Sequence, residues 1–328
     1  MDRINFIILG AGAWGTAMAI HLAKQNHRVI LVPRDEIKAE NMRHSNENIY
    51  HLKSIPFPSN LIIDTEFQTY LTPQSIIIIA CPTQGLLNVC QKIASLKHSV
   101  HRVISLVKGL DRASLKTPSE LIESILPNIK FSCLSGPTYA KEFAEGKPAA
   151  MVLASKSDVK DLQKYLSNHI VRIYTSQDLR GVELGSCLKN IYAVGAGILD
   201  GLKLGDNAKA AYLTRALNEI AKLGTRLGGK SETFYGLSGL GDLIATAQGV
   251  WSRNRNFGFE FTQNQSIENL LKGKTVEGYW SIQCFHQLAE KIHCEAPILN
   301  VLYKTFYEQY NLNEAVKDLI TRELKQEF

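Results

Sequence analysis

Two kinds of hydrophobic pattern divide this chain. Up to about residue 177, short, nearly all-apolar runs recur between stretches of helical period: "NFIILG" (5–10), "RVILV" (28–32), "NLIID" (60–64), "SIIIIA" (75–80), "RVISLV" (102–107), "KFSCL" (130–134), "AAMVLA" (149–154) and "VRIY" (171–174). Runs this short, apolar on both alternating faces and separated by helices, predict strands of a mostly parallel sheet covered on both sides. From about 178 that signal stops and long helical windows follow, such as 178–198 and 207–227. The expected fold is α/β plus all-α: a doubly wound sheet domain over 1–177 joined directly to an α-helical domain over 178–328.

The first strand runs into "GAGAWG", with Gly10, Gly12 and Gly15 at the spacing of a dinucleotide fingerprint, and the predicted helix opens at about residue 14. In this setting the first glycine permits the tight turn and the second lets backbone approach a pyrophosphate. The third lets helix and strand pack closely, and the helix N-terminus supplies N–H groups to the anion. The sheet domain is therefore expected to be Rossmann-like and to bind NAD or NADP. The second strand ends "LVPRDE", placing Pro33 and Arg34 ahead of Asp35 where an acidic residue often holds the ribose. A guanidinium there suits a 2′-phosphate and leans the reading toward NADP, though an ordinary exposed turn gives the same residue.

Open parallel sheets bind ligands beyond the carboxyl ends of their strands. Lys108 follows the fifth run. Gly136, Pro137 and Thr138 follow the sixth and are expected to form a helix-opening turn, with the proline in its first turn. In the second half, "GSCLKNIYAVGAGILDG" (185–201) has the apolar content of a buried helix, yet Lys189 and Asn190 sit within it. A buried ammonium carries a large desolvation cost, so its presence asks for a purpose. At helical spacing Gly185, Lys189, Ala193 and Ala196 share a face, and their small size is expected to leave the ammonium approachable. Downstream, "GLSGLGDLIATAQG" (236–249) brings Asp242 to a helix start with Thr246 one turn later. "SRNRN" sets Arg253 and Arg255 on either side of Asn254, with guanidinium forks suited to phosphate oxygens, and "KTVEGYW" sets Glu277 beside Gly278 as a candidate for a ribose hydroxyl. Capping, solvation and local bonding are the alternative roles of these polar residues.

Composition narrows the choice. With 45% hydrophobic and 21% charged residues the chain is globular rather than disordered, and none of its apolar runs approaches the roughly 20 residues of a membrane helix. The net charge of +6 suits an anionic ligand, but no basic block or aromatic-interleaved stripe points to nucleic acid. Six scattered cysteines form neither a metal cage nor a redox pair, nine histidines form no H-E-x-x-H pattern, and His98 and His101 read as surface residues; no metal is expected. The start "MDRINFIILGAG" carries no signal-peptide pattern, so a cytoplasmic protein without membrane insertion is expected.

In order along the chain, "GAGAWGTAMA", "VKGL", "SGPTYAKEFAEGKP", "VELGSCLKNIYAVGAGILDGL", "GLSGLGDLIAT", "SRNRNFG" and "VEG" resemble the bacterial-type NAD(P)-dependent sn-glycerol-3-phosphate dehydrogenases, from residue 8 to residue 278. The resemblance implies reversible reduction of dihydroxyacetone phosphate to sn-glycerol 3-phosphate for phospholipid backbones, by a homodimer. It implies Lys189 as proton donor and acceptor, with Lys108, Asn190, Asp242 and Thr246 at the reacting end of the substrate. Ser252, Arg253 and Asn254 would bind the phosphate end, and Gly136 and Thr138 the substrate. Gly10, Gly12, Ala13, Trp14, Gly15, Arg34, Lys108, Ala140, Arg253, Thr275 and Glu277 would contact the cofactor. Ser186, Cys187, Val32 and "EGYWSIQ" depart from the family pattern. Two other readings share part of these features: a dehydrogenase of hydroxy acids of the pantoate type, and a non-catalytic nucleotide sensor.

Overall fold

Strand β1 (Asn5–Leu9) shows why the sheet is covered on both faces: its side chains divide by alternation between two cores. Phe6 and Ile8 join Val29, Leu31, Ile76, Ile78 and Ile104 in one cluster with Ala17 and Ile20 of helix α1 (Ala13–Lys24). Ile7 and Leu9 join Ile30, Ile77, Ile79 and Val103 in the other, with Leu86, Cys90, Leu121 and Ile122 from helices described below. These observations come from a computed structural model that describes residues 4–96, 100–263, 265–321, 323 and 326, so that His98 lies outside the described residues. The chain divides into two compact units, Met1–Glu183 and Leu184–Phe328.

In the first unit β2 (Arg28–Val32), α2 (Glu36–Ser45), β3 (Glu47–Asn48), β4 (Leu52–Pro56), β5 (Leu61–Ile63), β6 (Ile76–Ile79), α3 (Leu86–Ala94), β7 (Arg102–Ser105) and α4 (Pro118–Ile125) follow α1. Then come β8 (Lys130–Ser135), α5 (Ala140–Glu145), β9 (Ala149–Ala154), α6 (Lys160–Leu166) and β10 (Val171–Ser176). Eight strands form one sheet in the order β10-β9-β8-β7-β6-β1-β2-β5. All pairings are parallel except β8 with β9. The strand order turns back between β1 and β6, the switch point at which such sheets open a crevice for ligands. All eight predicted runs are strands of this sheet. The two-stranded β3–β4 hairpin was not foreseen, since "ENIYHLKSIP" lacks the alternation of a half-buried strand pair.

The second unit is helical. Helix α7 (Leu179–Gly201) runs through the division of the chain, and α8 (Asp206–Arg226), α9 (Ser231–Phe234), a π turn (Leu237–Gly241), α10 (Asp242–Gln248) and α11 (Arg253–Phe261) follow it. Helices α12 (Ile267–Leu271), α13 (Glu277–Lys291), α14 (Pro297–Tyr307) and α15 (Leu312–Ile320) complete the unit, and among the described residues no strand follows Ser176. Residues 182–198 of α7 are buried all round, the polar Glu183, Ser186, Lys189 and Asn190 among them. Its glycines admit neighbours at backbone distance: a Cβ at Gly197 would lie 1.9 Å from the Arg255 carbonyl oxygen, and one at Gly195 would lie 2.0 Å from the Tyr212 hydroxyl. Glu219 of α8 is buried and accepts from the backbone N–H groups of Ile298 and Leu299 at 3.0 and 2.9 Å, capping α14, which has no cap of its own.

Two buried groups in the first unit give it a pH-dependent stability. Glu183 accepts from the Ser119 backbone N–H and hydroxyl near the N-terminus of α4. Burial nevertheless outweighs these bonds and the Arg180 guanidinium, and pushes its carboxyl up to about 7. Because the folded value lies above the ordinary 4.5, this stabilisation is complete below pH 4.5 and is lost as pH rises through 7. His21 has the opposite sign: burial lowers it from 6.5 to about 4, so its contribution is present above pH 6.5 and lost as pH falls through 4. Glu183→Gln removes the alkaline loss, on the order of 3 kcal/mol. Thermal melts from pH 5 to pH 8 are expected to show the variant gaining on the wild type as pH rises. Parallel curves would refute a protonated Glu183.

Candidate active site

The glycine turn follows β1 at the switch point. Gly10 has φ +118°, and a Cβ there would lie 2.8 Å from the Ala80 carbonyl carbon at the end of β6. A Cβ at Gly15 would lie 2.0 Å from the Gly10 carbonyl oxygen, so this glycine is required by the helix–strand packing. Gly12 differs from both: its φ is −73°, and a Cβ there would meet no heavy atom within 4 Å. Neither backbone conformation nor packing calls for glycine at 12. Open space over the N-terminus of a twelve-residue helix, α1, is what a pyrophosphate would occupy, and the turn therefore fits a dinucleotide. Ala13 and Trp14 begin α1, where the indole stacks edge-on against Phe143 at 5.0 Å.

Elsewhere in this unit, Lys108 Nζ donates to the Gly136 carbonyl at 3.4 Å, and Thr138 Oγ1 donates to the same oxygen at 3.2 Å. The sheet thus brings Lys108, Gly136 and Thr138 together. Gly136 has φ +145° and a Cβ would fall 2.9 Å from Met151 Cα, which accounts for glycine there. Helix α5 starts at Ala140, so Pro137 precedes the helix instead of occupying its first turn; the turn is made by Gly136. Arg34 is exposed beyond β2, while Asp35 is committed as N-cap of α2, accepting from the Lys38 N–H at 3.0 Å.

In the helical unit Lys189 Nζ donates to Asp242 Oδ1 at 3.0 Å and to Thr246 Oγ1 at 2.7 Å, and the Thr246 hydroxyl donates to Asp242 Oδ1 at 3.2 Å. Lys189 and Asp242 side chains are 8% and 4% exposed, so the pair is buried and the carboxylate offsets the desolvation of the ammonium. The π turn explains how Asp242 gets there. Its Ser238 carbonyl passes over Gly185, where a Cβ would sit at 3.1 Å, and the chain then enters α10 at Asp242. The expected open space beside the ammonium is thus taken, at Gly185, by this backbone.

A second network lies one residue on. Asn254 Nδ2 donates to Asn190 Oδ1 at 2.8 Å, and Asn254 Oδ1 accepts from the Gly278 N–H at 2.9 Å. A Cβ at Gly278 would fall 2.5 Å from the Asn190 carbonyl oxygen, so α13 can approach α7 only through glycine. Ser252 is the buried N-cap of α11, accepting from the Arg255 N–H at 3.2 Å, and Arg253 is exposed at the helix's first position. Arg255 does not join Arg253: its Nε donates to Asp200 Oδ2 at 2.6 Å, beside Lys209 on the same carboxylate, because α11 turns it toward the end of α7. Thr275 is half-buried in the loop before α13 and Glu277 is the first residue of that helix.

Two family models cover the chain in succession: the N-terminus of NAD-dependent glycerol-3-phosphate dehydrogenase matches residues 5–160 and its C-terminus matches residues 178–317. The chain belongs to the NAD-dependent glycerol-3-phosphate dehydrogenase family. A glycerol-3-phosphate dehydrogenase [NAD(P)+] of Francisella tularensis subsp. novicida is 40% identical over 98% of this chain and 99% of its own length. The crystal structure of a glycerol-3-phosphate dehydrogenase from Coxiella burnetii superposes with a TM-score of 0.92 at 34% identity, over 98% of this chain and 99% of that one. A ketopantoate reductase from Ralstonia eutropha shares the fold, with a TM-score of 0.62 at 16% identity over 92% of this chain and 97% of that one. Membership of the glycerol-3-phosphate dehydrogenase family sets the pantoate-type reading aside. Among the described residues of this family member, no group of three or more His, Cys, Asp or Glu side chains is arranged to hold a metal, and no helix is long and apolar enough to cross a membrane. Sequence reasoning passed over Asn48, fully buried against the glycine turn, and Glu183 at the start of α7. Neither carries a spacing signal, since each acts through a contact distant in sequence.

Proposed function

We propose that this chain catalyses reversible reduction of dihydroxyacetone phosphate to sn-glycerol 3-phosphate with NADH or NADPH, supplying glycerophospholipid backbones. The observation that carries the reading is the buried Lys189 ammonium held by Asp242 and Thr246, within a chain of this family. When bound, the reduced nicotinamide supplies a hydride to the ketone carbon. Lys189 Nζ donates a proton to the substrate oxygen as negative charge develops there, and the neutral amine takes the hydroxyl proton in the reverse direction. Asp242 and Thr246 fix the position of Nζ, and the Asn190 amide polarises the same end of the substrate. Lys108, Gly136 and Thr138 contact substrate; Ser252, Arg253 and Asn254 take its phosphate, with the Arg253 fork as the charged partner.

The residues proposed to hold the cofactor are Gly10, Gly12, Ala13, Trp14 and Gly15 at the pyrophosphate, with Lys108, Ala140, Arg253, Thr275 and Glu277. Arg34, exposed just beyond β2, is proposed to pair with a 2′-phosphate, which favours NADPH. The enzyme is proposed to act as a cytoplasmic homodimer. Purified protein mixed with dihydroxyacetone phosphate and NADH or NADPH is expected to consume the reduced nicotinamide, seen as falling absorbance, faster with NADPH. No consumption with either cofactor would favour a non-catalytic nucleotide sensor.

A further inference from the structure

We propose that Asn48 is a positioning residue that sets the glycine turn for the cofactor; this rests on the dinucleotide reading of that turn. Asn48 lies in β3, the short strand after α2, and is completely buried. Its carboxamide is used at every position. Nδ2 donates to the Ala11 carbonyl oxygen at 2.9 Å and to Thr16 Oγ1 at 2.7 Å. Oδ1 accepts from the backbone N–H groups of Tyr50 and His51, both at 3.2 Å. Two donors and two acceptor positions exhaust what an asparagine offers. One end of the amide therefore holds the hairpin turn, and the other holds the glycine turn and the first coil of α1.

The bond to Ala11 has a consequence for the cofactor site. In a trans peptide the carbonyl of one residue and the N–H of the next point in opposite directions from one plane. Drawing the Ala11 carbonyl toward buried Asn48 aims the Gly12 N–H away from it. Glycine turns easily about its backbone bonds, so the Ala11–Gly12 peptide would otherwise have freedom to rotate. The same glycine that leaves room for a pyrophosphate is the one least able to hold its own N–H in place. Asn48 supplies the missing constraint from outside the turn. It also gives the β3–β4 hairpin a role: Leu52, Ile55 and Phe57 seat it in the core that includes α1, so the asparagine comes from a fixed support.

The test compares Asn48→Asp with Thr16→Val in the full chain. Aspartate keeps the acceptor for Tyr50 and His51 but presents oxygen to the Ala11 carbonyl. Valine removes the other partner of Nδ2 and leaves the Ala11 bond intact, so it serves as a control for general destabilisation. NADH and NADPH binding is measured by nicotinamide fluorescence, with kcat and both KM values from initial rates and folding from thermal melts. Asn48→Asp is expected to raise the Kd and KM for the reduced nicotinamide about tenfold or more, with kcat at saturation and the dihydroxyacetone phosphate KM within about threefold of wild type. Thr16→Val is expected to lower the melting temperature yet hold the cofactor KM within about threefold. A folded Asn48→Asp protein with wild-type cofactor KM overturns the proposal, as does a fall in kcat alone. An Asn48→Asp protein without a cooperative melt also overturns it, since Asn48 would then be a requirement of the fold. Wild-type protein that binds neither nicotinamide overturns the dinucleotide reading itself, a result the variants cannot produce.

Discussion

Replacing Lys189 with methionine is expected to lower kcat by about a thousandfold or more while the Kd for NADH or NADPH stays within about twofold. Methionine keeps the length and apolar stem of lysine and removes the proton. A positioned acid contributes about a hundred- to ten-thousandfold on its own, and in the proposed mechanism the same group also carries the positive charge beside the developing alkoxide, so the expected loss belongs at the upper end. A thousandfold corresponds to about 4 kcal/mol of barrier. The variant also takes the Lys189 ammonium from the Asp242 carboxylate, which keeps the Thr246 hydroxyl at 3.2 Å, so rates must be compared below its lowered melting temperature. Steady-state rates at saturating substrate and a separate nicotinamide fluorescence titration make the comparison. Wild-type turnover in a folded Lys189→Met protein would remove Lys189 from the chemistry.

Why Lys189 was legible and Asn48 was not follows from the kind of signal each leaves. Lys189 stands out because an ammonium in the middle of a largely apolar helical segment, 185–201, violates the local pattern, and the violation is visible without knowing the fold. The eight sheet strands were visible for the converse reason: "SIIIIA" and its counterparts are apolar on both faces, and burial on both faces requires that. Asn48 violates nothing. An asparagine in a polar segment is ordinary, and its burial arises because the hairpin folds it onto a turn 37 residues earlier in the chain. The glycines of α7 show a third case. Their small size was legible, but not what it admits: at Gly185, expected to leave room beside the ammonium, the Ser238 carbonyl passes close by, and at Gly197, which sequence reasoning did not single out, the Arg255 carbonyl does. Small residues announce close approach without naming what approaches. Arg253 and Arg255, read together as suited to phosphate, part for a related reason: neighbouring arginines in one sequence turn point in different directions once that turn becomes a helix, and α11 directs Arg255 to Asp200.

Asp242→Ala is expected to damage both stability and rate, and a double variant separates the two. The single change leaves the Lys189 ammonium, 8% exposed, without its carboxylate, and breaking one side of a buried pair costs on the order of 3 kcal/mol or more. Denaturant unfolding should show this as a lower midpoint at unchanged slope. Turnover should fall about a hundredfold, since Nζ keeps Thr246 as a partner but loses the group that fixes its second bond. The lysine remains able to donate a proton, so the fall should be smaller than for Lys189→Met. In Lys189→Met/Asp242→Leu both charges are gone and apolar groups of similar volume fill their place. Such replacements are commonly neutral or stabilising, so the unfolding free energy should return to within about 1 kcal/mol of wild type. Activity should not return at all. A stable, inactive double variant would show that the buried pair is retained for its chemistry, at some expense to the helical unit that holds it. If Asp242→Ala instead matched wild type in both midpoint and rate, the carboxylate would be neither the support of Lys189 nor part of the reaction.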